Sequence, residues 1–348
     1  ADPITELPTH AVIRPVAAGS NIYIIAETSE WATIFEYFLD KALETADYEV
    51  VTGHAPVYIP AGVRNLIASP HLDLLLVSTD GDPDSLYVYK WYWSGEEKLQ
   101  SAWCRWNFPN VESIINMIFD RGEVRLLVRR HGVVYLESLN AEQSITDPGL
   151  PYRVYLDQHV LLSDGEYDPE SDTTTFTLPY PAPSELKCVT APGGEIPPGV
   201  ELSPVSVSDN TVILAGDLSE QPIRFGVPYE SRYRFSQFFH RSEDGRIAIQ
   251  DGRTQVLWLS VVYARSAYFR VEVTCEGRPT RVFPFNGRII GDPDNKTGEL
   301  VLDDGRFSVP IFSRSDRVTI DLVNDTWLPC AFTSAEWRGI FNPRTRQQ

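Results

Sequence analysis

The sequence predicts an all-β protein, and three observations support this class. Residues 226–346 alternate between apolar and polar side chains in short segments separated by turn signals. Three earlier segments repeat a two-strand layout at a spacing of about 50 residues. No segment carries a long helical period. We therefore expect incomplete β-propeller-like blades followed by a β-sandwich-like C-terminal domain.

The length of 348 residues exceeds the size at which a single hydrophobic core keeps growing. With 43% hydrophobic and 22% charged residues, the composition is that of an ordered globular chain. We expect three domains. They are propeller-like β repeats at 1–140, a Pro-rich small β domain or connector at 141–225, and the sandwich-like domain at 226–348.

The repeats in the first domain are paired strands at 21–26 and 31–38, at 73–78 and 85–93, and at 123–128 and 132–137. Residues 63–70 and 111–119 are expected to be the innermost strands of successive blades. These blades are too few to close a ring. Because identity among the repeats is weak, a generic β-meander remains an alternative.

Ten prolines break any long regular element between residues 148 and 204. Short strands are expected at 152–156, 173–178 and 211–215. In the last domain, alternation predicts strands at 256–263, 267–274, 306–311 and 317–322, with turns at 291–294 and 303–305. Two packed sheets are the natural arrangement for such strands.

The formal net charge of −18 is unevenly distributed. Residues 226–348 hold 17 basic and 15 acidic residues, which leaves 13 and 33 for residues 1–225. A surface this acidic repels phosphate and disfavours sequence-specific DNA binding, but DNA could slide past it without sticking. An acidic face kept for solubility explains the charge equally well. Of the 17 basic residues, 16 are Arg, which suits subunit contacts and ion-paired sheet faces.

The four cysteines, Cys104, Cys188, Cys275 and Cys330, are expected to be free and mostly buried, because their spacing fits no metal site. A Cys275–Cys330 disulfide depends on geometry that spacing cannot test. No apolar run is long enough to span a bilayer, so we expect no membrane anchor and no signal peptide. The sequence has one Met, Met117, and residues 1–3 are typical of an expression remnant, so we expect a fragment of a longer protein.

No catalytic motif is present: the sequence lacks a nucleophile elbow, a Walker A loop and a dinucleotide fingerprint. The six His residues are scattered, so we assign no catalytic, cofactor-binding or metal residue and expect no cofactor. The acidic stretches 164–172 and 292–299 offer oxygen ligands for calcium but lack EF-hand spacing, and solvated turns are the simpler interpretation. Asn295 and Asn324 begin glycosylation-type triplets, which are short enough to occur by chance.

Six blocks of sequence resemble the nozzle proteins, or tail tubular proteins B, of short-tailed bacteriophages. These blocks lie at 57–70, 85–93, 97–106, 226–235, 306–310 and 334–339, and together they extend over most of the chain. Residues 141–225 contribute least. The match is to the C-terminal half of such proteins.

The resemblance implies a structural component of the virion tail. Family members form a homo-hexameric nozzle that includes a β-propeller, lies below the gatekeeper adaptor and carries tail fibres. Double-stranded DNA leaves through its central channel without sequence-specific binding. The resemblance therefore implies a protein that is not an enzyme, and it assigns no gating residue to this chain.

Two other functions remain open from the residues. Abundant carboxylates would suit a glycan or peptidoglycan hydrolase. Such an enzyme uses a pair of carboxylates at a defined separation, and the sequence does not show that separation. Exposed Tyr and Trp residues would suit host-receptor binding. The host, the fibre partner and the channel-lining residues are not determined by the sequence.

Overall fold

The computed structural model describes residues 12–40, 45–94, 97–120, 123–141, 146–241, 248–249, 252–287 and 300–343. The all-β prediction is confirmed, because the regular elements of these residues are strands apart from one short 3-10 turn. The chain divides into two compact units, Ala1–Gln143 and Ser144–Gln348. The division into three domains remains a prediction. No helix among the described residues has the length and apolarity to cross a membrane.

Three antiparallel sheets build unit 1, each with its strands in chain order. The first contains β1 (Val16–Ala18), β2 (Asn21–Glu27), β3 (Ala32–Asp40) and β4 (Thr45–Val50). The second contains β5 (Val63–Ser69), β6 (Leu74–Thr79), β7 (Ser85–Ser94) and β8 (Glu97–Asn107). The third contains β9 (Ser113–Asp120), β10 (Glu123–Arg130) and β11 (Val133–Leu139).

The second sheet buries both of its faces, because β6 alternates between two cores. Leu75 and Val77 pack with residues of the first sheet, whereas Leu74 and Leu76 pack with residues of the third. All six residues of β6 are buried. The leading strands also touch, since β1 contacts β5 and β5 contacts β9. This successive stacking is the arrangement expected of propeller blades, and the described residues form three such sheets.

Unit 2 begins with a lobe of two four-stranded sheets. One sheet has the order β12-β19-β15-β16, from Asp157–Leu162, Ile223–Val227, Lys187–Thr190 and Glu201–Leu202. The other has the order β13-β14-β18-β17, from Glu166–Asp168, Thr173–Thr177, Thr211–Ala215 and Ser206–Ser208. Phe176 and Phe225 meet at the centre of the core between them, with ring centroids 5.2 Å apart.

The rest of unit 2 is a sandwich, as the alternation predicts. One sheet has the order β20-β27-β24-β25, from Ser231–Arg234, Val318–Asn324, Tyr268–Cys275 and Arg281–Asn286. The other has the order β26-β23-β28, from Asp303–Arg314, Gly252–Ser266 and Phe332–Pro343. A hairpin of β21 (His240–Arg241) and β22 (Ala248–Ile249) and the 3-10 turn Ser315–Arg317 complete the described elements. Both sheets contribute to one core, in which Phe269 and Phe285 stack.

Two local predictions were wrong. Residues 152–156 are not a strand, because their backbone bonds to loops and side chains: the Tyr155 N–H donates to the Trp327 carbonyl and the Val154 N–H to Asp147. Residues 303–305 are not a turn but the start of β26. There the Tyr263 hydroxyl donates to Asp303 at 2.8 Å and holds the chain in the ladder. The predicted turn at 291–294 lies outside the described residues.

The four cysteines are free thiols, with Cys188 and Cys275 buried, Cys330 half-buried and Cys104 exposed.

Candidate interaction surfaces

The structure brings no described histidine into a catalytic arrangement. The His159 ring nitrogen contacts the Leu156 carbonyl at 3.2 Å, and His240 stacks on Phe341. In the part of the chain that the structure describes, no group of three His, Cys, Asp or Glu residues is placed to hold a metal ion. His10 lies outside that part.

The acidic stretch 164–172 spans the β13–β14 hairpin, and two of its carboxylates accept hydrogen bonds from other residues of the turn. Asp168 accepts hydrogen bonds from the Glu170 N–H at 3.0 Å and the Ser171 hydroxyl at 2.7 Å. The Ser171 bond holds the pKa of Asp168 below its usual value. Asp172 accepts from the Tyr167 hydroxyl. These residues therefore form a solvated turn. The second stretch, 292–299, lies outside the described residues.

The triplet that begins at Asn324 is a structural turn. Asn324 is buried, and its amide donates to the Leu328 carbonyl at 2.7 Å. Its Oδ1 accepts from the Thr326 N–H at 2.9 Å and from the Thr326 hydroxyl at 2.8 Å. A glycan would have to attach to the Nδ2 atom of this buried side chain, which already donates to the Leu328 carbonyl and to Cys330 Sγ. The triplet at Asn295 lies outside the described residues.

A buried carboxylate in unit 1 ties the first sheet to the second. Glu36 is 1% exposed, and its Oε1 accepts from Asn21 at 2.7 Å and from the Tyr23 hydroxyl at 2.9 Å. Its Oε2 is ion-paired with Lys98 of β8, which also reaches Glu49 at 3.2 Å. Burial is the largest single influence on the pKa of Lys98 and lowers it, but the hydrogen bond and charge of Glu36, together with Tyr89 and Glu49, outweigh burial and raise the pKa to about 12. The buried Glu36 carboxylate is thus both hydrogen-bonded and ion-paired, as a buried charge requires.

The outer face of β20-β27-β24 carries a ladder of ion pairs centred on Asp321. Arg234 donates to both oxygens of Asp321, at 2.8 and 2.9 Å, and Arg232 donates to it at 2.9 Å. These guanidinium groups, Arg234 first, hold the pKa of Asp321 below its usual value against the effect of burial.

The ladder continues onto β24. Arg232 donates to Glu272 at 3.0 Å, and Arg270 donates to Glu272 at 2.7 Å and to Asp325 at 2.6 Å. Arg270 is the main cause of the lowered pKa of both Glu272 and Asp325. The Arg-rich composition of this region is thus used first to cross-link strands of one sheet.

These networks bear on the hydrolase alternative. A glycoside hydrolase needs one carboxylic acid with a raised pKa that can protonate the leaving group. The carboxylates of the Glu36 and Asp321 networks share a Lys or Arg, and the pKa values of Asp321 and Glu272 are lowered. The hydrolase hypothesis gains no support from them.

An open cleft of about 370 Å³ in unit 1 is lined by Ala55, Val57, Tyr58, Tyr87 and Arg105. The Tyr87 hydroxyl donates to Asp82 at 2.7 Å, and the Arg105 guanidinium donates to the same oxygen at 3.2 Å. Burial, followed by the bond to Asp82, raises the pKa of Tyr87. The cleft is a surface of neutral phenols and a paired guanidinium without an activated acid or base.

The sheet β13-β14-β18-β17, called the acidic sheet below, has charge of only one sign. Its strands and flanking turns lie within 163–180 and 203–221, which contain eight carboxylates and neither Lys nor Arg. They are Asp164, Glu166, Asp168, Glu170, Asp172, Asp209, Asp217 and Glu220, all exposed. A single-sign field of this size favours partners of opposite charge and repels phosphate.

The described residues thus form an all-β protein whose sheet faces are cross-linked by ion pairs. The chain belongs to the bacteriophage nozzle protein family, which matches residues 1–348. It is a structural component of the virion tail.

Tail tubular protein gp12 of Escherichia phage T7 is 24% identical to the chain over 352 residues. The match covers 98% of this chain and 44% of the T7 protein, so the chain spans less than half the length of this relative. Among solved structures, two crystal structures of an exo-β-1,3-galactanase from Phanerochaete chrysosporium are 10% and 9% identical. Each comparison covers 93% of this chain and 95% of the other. Their TM-scores of 0.21 and 0.23 are too low to carry any conclusion about activity.

Proposed function

We propose that the chain forms part of the wall of the DNA-ejection channel in the distal nozzle of the tail. Membership of the nozzle family carries this proposal. The net charge of −18 supports it, since a wall that repels phosphate lets double-stranded DNA pass without sequence-specific binding.

The partners belong to the same proposal. The full-length protein assembles as a homo-hexamer and contacts the tail adaptor and the tail fibres. The role is structural rather than catalytic, and the pairing of Glu36, Asp321 and Glu272 with Lys or Arg supports this. The three stacked sheets of unit 1 contribute propeller blades to this assembly, and the contacts between their leading strands support that arrangement.

Cryo-electron microscopy of tails that carry the full-length protein tests the proposal. The expected result is six copies around a central channel at the distal end, with acidic side chains of residues 1–225 facing the channel. Acidic side chains that all face outward would contradict the role in DNA passage and leave the structural role intact. A chain placed away from the tail axis would contradict both.

Hydrolysis is tested separately by incubating the purified chain with cell-wall and capsular glycans. We expect no released sugar. Release that depends on a single carboxylate would instead establish an enzyme.

A further inference from the structure

One face of the sandwich is apolar and cationic although it points to solvent. On the outer side of β26-β23-β28, Trp258 lies in register with Pro310 of β26 and with Arg338 of β28. Phe312 packs edge-on against Trp258 at 5.8 Å, and Ile340 lies in the adjoining row of the sheet. Phe312 is 54% exposed and Ile340 is 49% exposed. These residues are called the Trp258 face below.

The backbone at Phe312 is strained in a way that keeps its ring outside. Phe312 has a φ of 48°, in the left-handed region that bulky side chains rarely adopt. The ladder slips at the same place, between Val256 and Trp258. The contact with Trp258 leaves more than half of the ring exposed, so a strained backbone that presents this ring to solvent points to a function for it.

Two of the three cations of this face have no carboxylate partner among the residues that the structure describes. Arg338 and Arg253 lie on the outer side of β28 and β23, and neither is ion-paired with a carboxylate among the described residues. Arg314, in the same row as Ile340, is paired with Asp316 at 2.5 Å. Within the described part of the chain, the face therefore offers two guanidinium groups without a carboxylate partner beside three apolar side chains, which fits a partner with carboxylates and some apolar surface.

The same chain carries a surface of that chemistry. On the outer side of the acidic sheet, Glu166 and Asp168 are exposed beside Thr175 and Thr173. Ile213 lies half-buried across from Thr175. The Trp258 face and this side of the acidic sheet belong to one unit. Both are exposed, so they do not cover each other within one chain.

We propose that the Trp258 face of one copy docks on the acidic sheet of a second copy. Because the two patches differ, the contact is heterologous, and its repetition generates a ring or an open helix. The contact rests on the proposed function in one respect, namely that the protein works as a homo-oligomer. Its electrostatic part favours the correct register and weakens as salt increases.

Duplex DNA is the competing occupant of these two guanidinium groups, and the charges disfavour it. Specific and non-specific DNA binding both draw on many phosphate contacts. Here Glu336 and Asp316 flank the face, and the chain has a net charge of −18. A carboxylate surface of a second copy matches the face better.

The test uses two variants of the full chain, each of which removes one patch. Variant one is Arg338→Ala with Phe312→Gly, in which glycine also relieves the left-handed strain. Variant two is Glu166→Gln with Asp168→Asn, in which the side-chain shapes are kept. Sedimentation velocity and native mass spectrometry measure association at low and high salt.

The wild-type chain is expected to associate in a manner that depends on concentration and decreases with salt. Each variant alone should associate at least tenfold more weakly. An equimolar mixture should form dimers and nothing larger, because the intact acidic sheet of variant one meets the intact Trp258 face of variant two. The matched control, Arg278→Ala, removes an exposed guanidinium from the β24–β25 turn and should associate as the wild type does.

Three outcomes would overturn the inference: a wild-type chain that stays monomeric, variants that associate normally, or a mixture that stays monomeric. Loss of duplex DNA retention by variant one without loss of self-association would assign the face to nucleic acid instead. None of these outcomes bears on whether the protein is located in the virion tail, which microscopy of tails decides.

Discussion

The Lys98 ammonium of β8 and the Glu36 carboxylate of β3 are ion-paired across two different sheets of unit 1. Glu36 is almost fully buried, and Lys98 is only 15% exposed. Their contact is therefore shielded from water, so its energetics differ from those of a surface ion pair.

Removing one partner of this pair is expected to be costly. Lys98→Met leaves the Glu36 carboxylate buried without its cation and should lower the free energy of unfolding by about 3 kcal/mol. The double variant Glu36→Gln, Lys98→Met should recover much of that loss, since no buried charge remains. Urea denaturation measures both. As a control, Arg64→Ala removes an exposed pair with Asp80 and should change stability by about 0.5 kcal/mol or less. Equal losses for Lys98→Met and the double variant would contradict the interpretation.

The Asp321 ladder predicts how stability depends on pH. The pKa values of Asp321 and Glu272 are lowered in the folded chain from ordinary values of 3.8 and 4.5. Their stabilisation is therefore fully present above those ordinary values and is lost as pH falls through the folded values. Chemical denaturation at pH values from near neutral to acidic should show this decline. Asp321→Asn should make the acid limb shallower, and Asp164→Asn, at an exposed carboxylate outside the ladder, is the matched control.

The strain at Phe312 predicts an unusual order of stabilities. Phe312→Gly should be more stable than Phe312→Ala by about 1 kcal/mol, because alanine keeps a Cβ in the left-handed region and glycine does not. At a neighbouring position with ordinary extended geometry, such as Ser308, the order should reverse. Thermal or urea unfolding of the four variants checks this. An alanine variant at 312 that matches glycine would mean that the backbone is not strained there.

The buried thiol of Cys188 is expected to be inert. It is fully buried in the core of the lobe, and burial raises its pKa to about 12. Very little thiolate forms at neutral pH, so thiol reagents should label it only after unfolding. Quantifying labelled thiols with and without denaturant measures this. Cys188→Ala should remove one equivalent from the denatured count and none from the native count.

Strand positions in the sandwich could be predicted because one face of each strand is buried, which imposes a period of two on the sequence. Residues 256–263 lie within β23 as the alternation indicates. The same pattern failed at residues 152–156, which alternate between buried and half-buried positions without a neighbouring strand. Alternation in the sequence indicates which side chains are buried. A β-strand also needs a neighbouring strand whose backbone N–H and C=O groups pair with its own.

The surfaces could be predicted less well. Arginine richness indicated subunit contacts or sheet-face networks. The sequence could not show that Arg234 pairs with Asp321 while Arg338 has no carboxylate partner among the described residues. Those two positions are far apart in the chain, and their roles depend on strand register. The left-handed backbone at Phe312 had no sequence signal at all, since glycine or asparagine is the usual mark of such a position.

The sequence by itself determined the all-β class, the uneven charge and the nozzle family, because local alternation, composition and ordered sequence blocks are properties of the chain alone. The tertiary structure decided which carboxylates are paired with Lys or Arg and which apolar and cationic side chains stay exposed. It also decided that Asn324 is buried and hydrogen-bonded within a turn. The physical reason is that charge pairing and exposure depend on distances between strands far apart in sequence, and those distances exist only once the sheets have packed.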